Sequence, residues 1–189
     1  MLRSTLLIML LALSASASAE DFNYNFLNLG YGNVELDAVD VDGDGFQIGG
    51  SFAFTDSFHG FANYEDAGLD FDVDVTRYNL GVGYNTSVSD TVDMYARLSY
   101  EYLEFDLPLG FGSVDDDGYG LGVGLRFAAS ASLELAAGVN YVDYGDGDDT
   151  GFEVGALYNF NDTFALGLTG EWSDEFTTYA LLGRFYFGR

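Results

Sequence analysis

The sequence predicts an all-β fold, an antiparallel transmembrane barrel of ten strands in meander order, and three observations carry that prediction. Apolar side chains alternate with small or polar ones over most of the chain after residue 20. Tyr78-Leu80-Val82-Tyr84 interleave with Arg77-Asn79-Gly81-Gly83-Asn85, and Tyr119-Leu121-Val123-Leu125-Phe127 with Gly118-Gly120-Gly122-Gly124-Arg126. A period of two puts the two sets on opposite faces of a strand. The face with glycines also carries the charges, and the other carries the large apolar groups. A water-soluble sandwich has the reverse; lipid outside and a small wet lumen inside require this arrangement. Finally, no stretch of the mature chain offers the roughly 18 apolar residues of a membrane-spanning helix, so strands must do the spanning. They must also close on themselves, because an open sheet edge in hydrocarbon leaves backbone groups unpaired.

The first element is a targeting segment. Arg3 supplies a positive start, Leu6 to Leu13 an apolar core and Ala17-Ser18-Ala19 a small-residue cleavage site. That core is too short to cross a bilayer as a helix, so residues 1–19 read as a signal peptide cleaved after Ala19. Residues 20–189 form a single barrel domain.

Ten segments of spanning length follow, near 22–36, 45–54, 58–66, 74–85, 92–104, 118–128, 132–143, 151–160, 163–172 and 177–187. The first is long, and loss of one hairpin would leave eight strands. The connections alternate in character. Thr55-Asp56-Ser57, Thr86 to Thr91, Ala129-Ser130-Ala131 and Asn161-Asp162 are short and mild, whereas Asp37 to Asp44, Ala67 to Val73, Asp106 to Asp117, Tyr144 to Thr150 and Ser173 to Phe176 are mostly longer and more acidic. Short periplasmic turns and long extracellular loops have this rhythm, with both termini on the turn side. Phe54, Phe58, Tyr84, Phe127, Tyr158, Phe160 and Phe164 lie near the short turns. Tyr64, Tyr100, Tyr102, Tyr119, Tyr141, Trp172 and Tyr179 lie near the long loops. These are two aromatic belts at two interfaces.

Composition excludes whole classes of function. The chain has no cysteine, so disulfide and thiolate chemistry are absent. Six basic residues, all arginine, face 31 acidic ones, for a net charge of −25. Such a surface repels phosphate backbones, and nucleic acid is not a partner. With 48% hydrophobic and 17% aromatic residues the chain is no disordered polyanion. The lone histidine, His59, has no base–nucleophile partner near its turn and is read as structural. Gly118 to Gly124 alternate as a strand with no helix after them, so they form no nucleotide loop. The chain is not expected to be an enzyme.

Inward parity selects the candidate functional residues. Arg77, Arg97, Arg126 and Arg184 point into the bore with Glu65, Glu101, Glu134, Glu153 and Glu171. A turn about Ser130 would set Arg126 opposite Glu134, and with Arg97 and Arg184 these would plug the lower lumen. Above them Glu65, Glu101, Glu153 and Glu171 share the space with Arg77 alone. A turn about Asp162 sets Glu153 opposite Glu171, an acidic vestibule that would attract cations. Asp40-Val41-Asp42-Gly43-Asp44-Gly45 reproduces the first half of a calcium loop, but position twelve is Ser51 rather than Glu. No metal site is therefore assigned, and no cofactor is expected beyond Ca2+ or Mg2+ held loosely by Asp40, Asp42 and Asp44.

The mature chain resembles the small outer-membrane β-barrel proteins of Gram-negative bacteria, the OmpX-like and OmpA-barrel-like proteins. The resemblance is carried by Ala17-Ser18-Ala19, the strand ending Gly81-Val82-Gly83-Tyr84-Asn85 and the final Tyr179-Ala180-Leu181-Leu182-Gly183-Arg184-Phe185-Tyr186-Phe187. It implies residence in the outer membrane. It also implies that Tyr179, Leu181, Phe185 and Phe187 form the signal read by the barrel assembly machinery, although Gly188-Arg189 extends past the usual terminal Phe. The expected partners are outer-membrane lipid and lipopolysaccharide, and the expected state is a monomer. The expected role is structural or surface-interacting, with a narrow cation-preferring channel as alternative and a lipid-modifying hydrolase behind both.

Overall fold

The computed structural model describes residues 22–36, 41–108, 112–145 and 147–188; the predicted leader and Asp40 lie outside these. The described residues form ten strands: β1 (Phe26–Leu36), β2 (Val41–Ala53), β3 (Phe58–Leu69), β4 (Val73–Ser89), β5 (Val92–Leu107), β6 (Gly112–Ala128), β7 (Leu133–Asp143), β8 (Asp148–Asn159), β9 (Phe164–Trp172) and β10 (Phe176–Tyr186). Each pairs antiparallel with its neighbours in the chain. The meander closes where β1 pairs β10, from Phe26 opposite Tyr186 to Leu36 opposite Phe176. Closure leaves the wall without an edge, the condition for strands in hydrocarbon.

The alternation sorts as the sequence predicts along the middle of each strand. Leu29, Leu80 and Leu168 point outward and are each 64% exposed, which in a bilayer is contact with lipid. Aromatic side chains pair on the outer surface toward both ends. Phe58 meets Tyr84 and Phe164 meets Phe185 near the short turns, while Tyr78 stacks on Tyr102 and Phe152 on Trp172 near the long loops. Hydroxyl and amide side chains fix the tight connections. Thr55 Oγ1, Ser130 Oγ and Asn161 Oδ1 accept the amides of Phe58, Leu133 and Phe164 at 2.9, 3.1 and 3.0 Å. Each mimics a backbone turn hydrogen bond, which is why Ser, Thr and Asn stand at these positions.

The strands run further than the sequence indicated. β2 begins at Val41 rather than 45, and β4, β5 and β6 contain 17, 16 and 17 residues. Most of the expected 106–117 loop is therefore strand: Glu104 pairs Asp115 and Leu107 pairs Gly112. Charge runs mark solvated chain, but a two-stranded ladder satisfies its backbone in water as well as in lipid. The rim slopes as a result, since β6 continues from Tyr119, its last rung with β7, back to Gly112. At the other end β1 is shorter than expected. Residues 22–24 leave the wall ahead of Asn25 and turn into the bore.

The bore as candidate functional site

Inward side chains fill the bore in tiers. At the loop end the tier is apolar: Val34, Ala67, Leu69, Val75, Leu103 and Phe176 form one buried cluster with Phe105 packed on it. Phe105 on β5 and Phe176 on β10 stand five strands apart whichever way the ring is followed. Their rings nevertheless stack with centroids 6.2 Å apart, so the bore is crossed here. The sequence placed an open acidic vestibule in this half. The apolar inward side chains of β1, β3, β4 and β5 occupy its mouth instead, and the glutamates lie beneath them.

Below this cluster Glu65 and Arg77 are directly opposite on β3 and β4 and form an ion pair of 2.5 Å. The Arg77 guanidinium lies 4.7 Å from the Phe176 ring and donates to Thr178 Oγ1 at 3.4 Å. Its flat cationic face thus serves as the underside of the apolar tier. Glu171 accepts from Asn140 Nδ2 at 3.5 Å and stands opposite Glu153, as the turn about Asp162 predicts. Glu101 accepts the hydroxyl of Ser99.

The middle tier joins two residues that the sequence assigned to different halves. Arg97 on β5 reaches across to Glu153 on β8, Nη1 to Oε1 at 3.5 Å, and Tyr95 donates to the same oxygen at 2.6 Å. Gly124 has its place here, since a Cβ would collide with the Tyr95 hydroxyl. The bore retains a cavity of about 340 Å³, lined from Tyr24, Arg126 and Glu134 at the turn end through Arg97 and Glu153 to Arg77 and Phe176.

The turn end holds the strongest pair. Arg126 donates to Glu134 through Nε at 2.8 Å and Nη2 at 2.9 Å, and both side chains are buried. The forked geometry matches guanidinium to carboxylate and is stronger than two neutral bonds. The residues are not directly opposite as expected. Arg126 faces Ala136 and Glu134 faces Ala128, because the turn centres on residue 131 instead of 130. The pair forms along the diagonal, within reach of a long side chain. Arg184 donates to Asn28 Oδ1 at 2.8 Å with its guanidinium 3.9 Å from the Phe26 ring, beside a second apolar cluster of Phe26, Leu157, Ala165, Leu182 and Tyr186. His59 is only 1% exposed; its Nδ1 lies 3.2 Å from Asn85 Oδ1 and its ring stacks on Tyr24 at 4.6 Å. Gly83 leaves the space that this imidazole occupies.

Tyr24 is the functional residue that strand patterning missed. It is 5% exposed, and Arg126 lies 4.6 Å from its ring and 5.0 Å from that of Phe22. The signal was present, because Phe22 and Tyr24 continue the inward parity of Phe26 and Asn28 in a position where outward aromatics would be the rule.

The remaining candidates lie outside the bore. Asp42 and Asp44 are exposed on the outer face of β2, opposite Glu35 and Asn33, on extended backbone with no turn at Gly43. No group of three His, Asp or Glu side chains is placed to hold a metal ion among the described residues. Tyr179, Leu181 and Phe185 point outward on β10, and Phe187 follows the strand and donates its amide to the Asn25 carbonyl at 3.1 Å. At the loop-end rim the Glu175 carboxyl is held above its usual range by burial, with Asp149, Asp116 and Asp174 adding to the effect.

Comparison with known proteins agrees with this architecture. Residues 4–160 match the family described as outer membrane protein beta-barrel domain. The chain belongs to that family. Membership places it in the outer membrane, with the closed ten-strand meander as its spanning unit. Among solved structures, the NanC porin in a rhombohedral crystal form is similar at 10% identity and a TM-score of 0.58, over 85% of this chain and 100% of that one. The translocator domain of autotransporter NalP from Neisseria meningitidis is similar at 11% identity and a TM-score of 0.53, over 89% of this chain and 90% of that one. At such identities the likeness concerns the fold. No curated protein sequence matches the chain.

Proposed function

We propose that this protein is a non-enzymatic outer-membrane barrel with an occluded bore, acting through its wall and its acidic loop-end rim in a structural or surface-interaction role. The observation that carries this reading is that side chains span the bore at three levels: Phe105 on Phe176, Arg97 on Glu153 and the Arg126–Glu134 pair with Tyr24. The first two tie strands that are not neighbours and the third ties β6 and β7 to the segment before β1, which stiffens the cylinder and obstructs solute flow. His59 is occupied by Asn85 and Tyr24, which speaks against acid–base work there. In this reading short turns and termini face the periplasm, and the rim with Asp116, Asp149, Asp174 and Glu175 faces outward. The rim carboxylates then meet lipopolysaccharide through bridging divalent cations, and the outward Tyr179, Leu181 and Phe185 serve the assembly machinery. Planar-bilayer recording is the test: the purified barrel gives no sustained current, and steady openings would overturn the reading.

One observation favours a second reading, a narrow cation-preferring channel. Glu65, Glu101, Glu134, Asp149, Glu153 and Glu171 line the cavity against Arg77, Arg97, Arg126 and Arg184, an excess of carboxylates. Openings whose reversal potential follows the cation gradient would support it.

A further inference from the structure

We propose that residues 22–24, hinged at Asn25, are a strap that closes the turn end of the bore and can be withdrawn without disturbing the wall. The proposal rests on the occluded-bore reading and assigns the turn-end closure to one segment. The strap starts at β1 and reaches Arg126 on β6, five strands away in either direction around the ring. On the way it touches most of the mouth. Asn25 Oδ1 accepts the Ala53 amide at 2.9 Å, Tyr24 stacks on His59, the Tyr24 hydroxyl donates to Asp93 Oδ2 at 3.4 Å, and the Asn23 carbonyl accepts from Arg126 Nη1 at 3.3 Å.

The manner of attachment distinguishes the strap from the wall. From Phe26 onward each residue of β1 is held in ladders to both β2 and β10, whereas Phe22, Asn23 and Tyr24 belong to no ladder. They are held by ring faces against Arg126 and His59 and by two long hydrogen bonds. Every group beneath them has a second partner that stays behind. Arg126 keeps both bonds to Glu134, His59 keeps Asn85, and Asp93 keeps the Ser87 hydroxyl at 2.6 Å. Removing Tyr24 therefore orphans none of these polar groups, so withdrawal does not incur the large penalty of an unpaired buried charge. With the strap out, water and small solutes reach the cavity from the turn side; with it in, the Tyr24 ring covers that path.

The chain lacks cysteine, so Ser99→Cys places a unique thiol on an inward position of β5, deep in the bore. The folded Ser99→Cys barrel in detergent is exposed to a small charged methanethiosulfonate. The thiol reacts slowly in this protein and at least tenfold faster when Phe22→Ala and Tyr24→Ala are added; Tyr24→Phe, which keeps both ring contacts, leaves the slow rate unchanged. Equal rates with and without the two alanines overturn the strap. A second measurement needs no variant. Hydrogen exchange of the wild type shows the amides of residues 23 and 24 unprotected relative to β1, and equal protection overturns withdrawal. Wild-type currents combined with strap-dependent labelling overturn the occluded reading alone, and silence combined with strap-independent labelling overturns the strap alone.

Discussion

The two ends of the bore are packed by opposite chemistries. The loop end is filled by Phe105, Phe176, Leu69 and Leu103, the turn end by Arg126, Glu134, His59 and Tyr24 beside a smaller apolar cluster. Between them lies the cavity with partly exposed ionic contacts. The apolar end has no orientation to satisfy and tolerates exchange of volume. The ionic end depends on both partners being present, because either charge alone in that dry site is strongly destabilising. The comparison teaches that outward-oily, inward-ionic describes the middle of this barrel, and that its ends are packed more like the core of a soluble protein.

Substitutions separate the two ends. Glu134→Ala has the largest effect: it strands Arg126 and lowers stability by about 3–5 kcal/mol, read from urea unfolding midpoints in lipid vesicles. Joint replacement Arg126→Met with Glu134→Leu recovers most of that loss. If the double variant is as unstable as the single one, the turn end is not governed by desolvation. Phe176→Ala follows at about 3 kcal/mol with no dependence on ionic strength; a salt-sensitive loss would show that Arg77 holds that end. Arg97→Met in the wet middle costs about 1 kcal/mol or less, and a loss equal to that of Glu134→Ala would erase the distinction between middle and end. The smallest effect is at the rim. Glu175 has its carboxyl raised in the folded state, so its contribution is fully present at pH below the ordinary carboxylate range and is lost as pH rises through the folded value. Glu175→Gln therefore raises the thermal midpoint by roughly 1 °C at pH 7 and leaves it unchanged at pH 4; an identical shift at both values would remove the electrostatic cause.

Strand number, meander order and the in–out parity of the middle segments were legible because lipid enforces alternation residue by residue. Glu153 opposite Glu171 followed from parity and turn position, whereas the sequence put Glu65 and Arg77 only in the same half of the bore. The two-residue offset between Arg126 and Glu134 did not follow, because Ala129-Ser130-Ala131-Ser132 offers several turns of the same parity and parity cannot choose among them. Contacts across the bore, such as Phe105 with Phe176 and Arg97 with Glu153, depend on the stagger of strands around the whole ring, a global quantity that no local pattern encodes. The acidic strand ends were misread for a different reason. Asp115, Asp116 and Asp117 lie past the lipid, where the in–out rule lapses while backbone pairing continues.

The seam between β1 and β10 has a consequence for biogenesis. The first strand to emerge must wait for the last, and any chain released before Phe176–Tyr186 is complete carries two bare edges that hydrocarbon cannot solvate. Insertion is thus an all-or-none event timed by β10. Because Asn25 and Phe187 already touch there, joining the chain at that point and cutting instead at 54–57 would yield a permuted cylinder of the same shape whose waiting seam lies between β2 and β3.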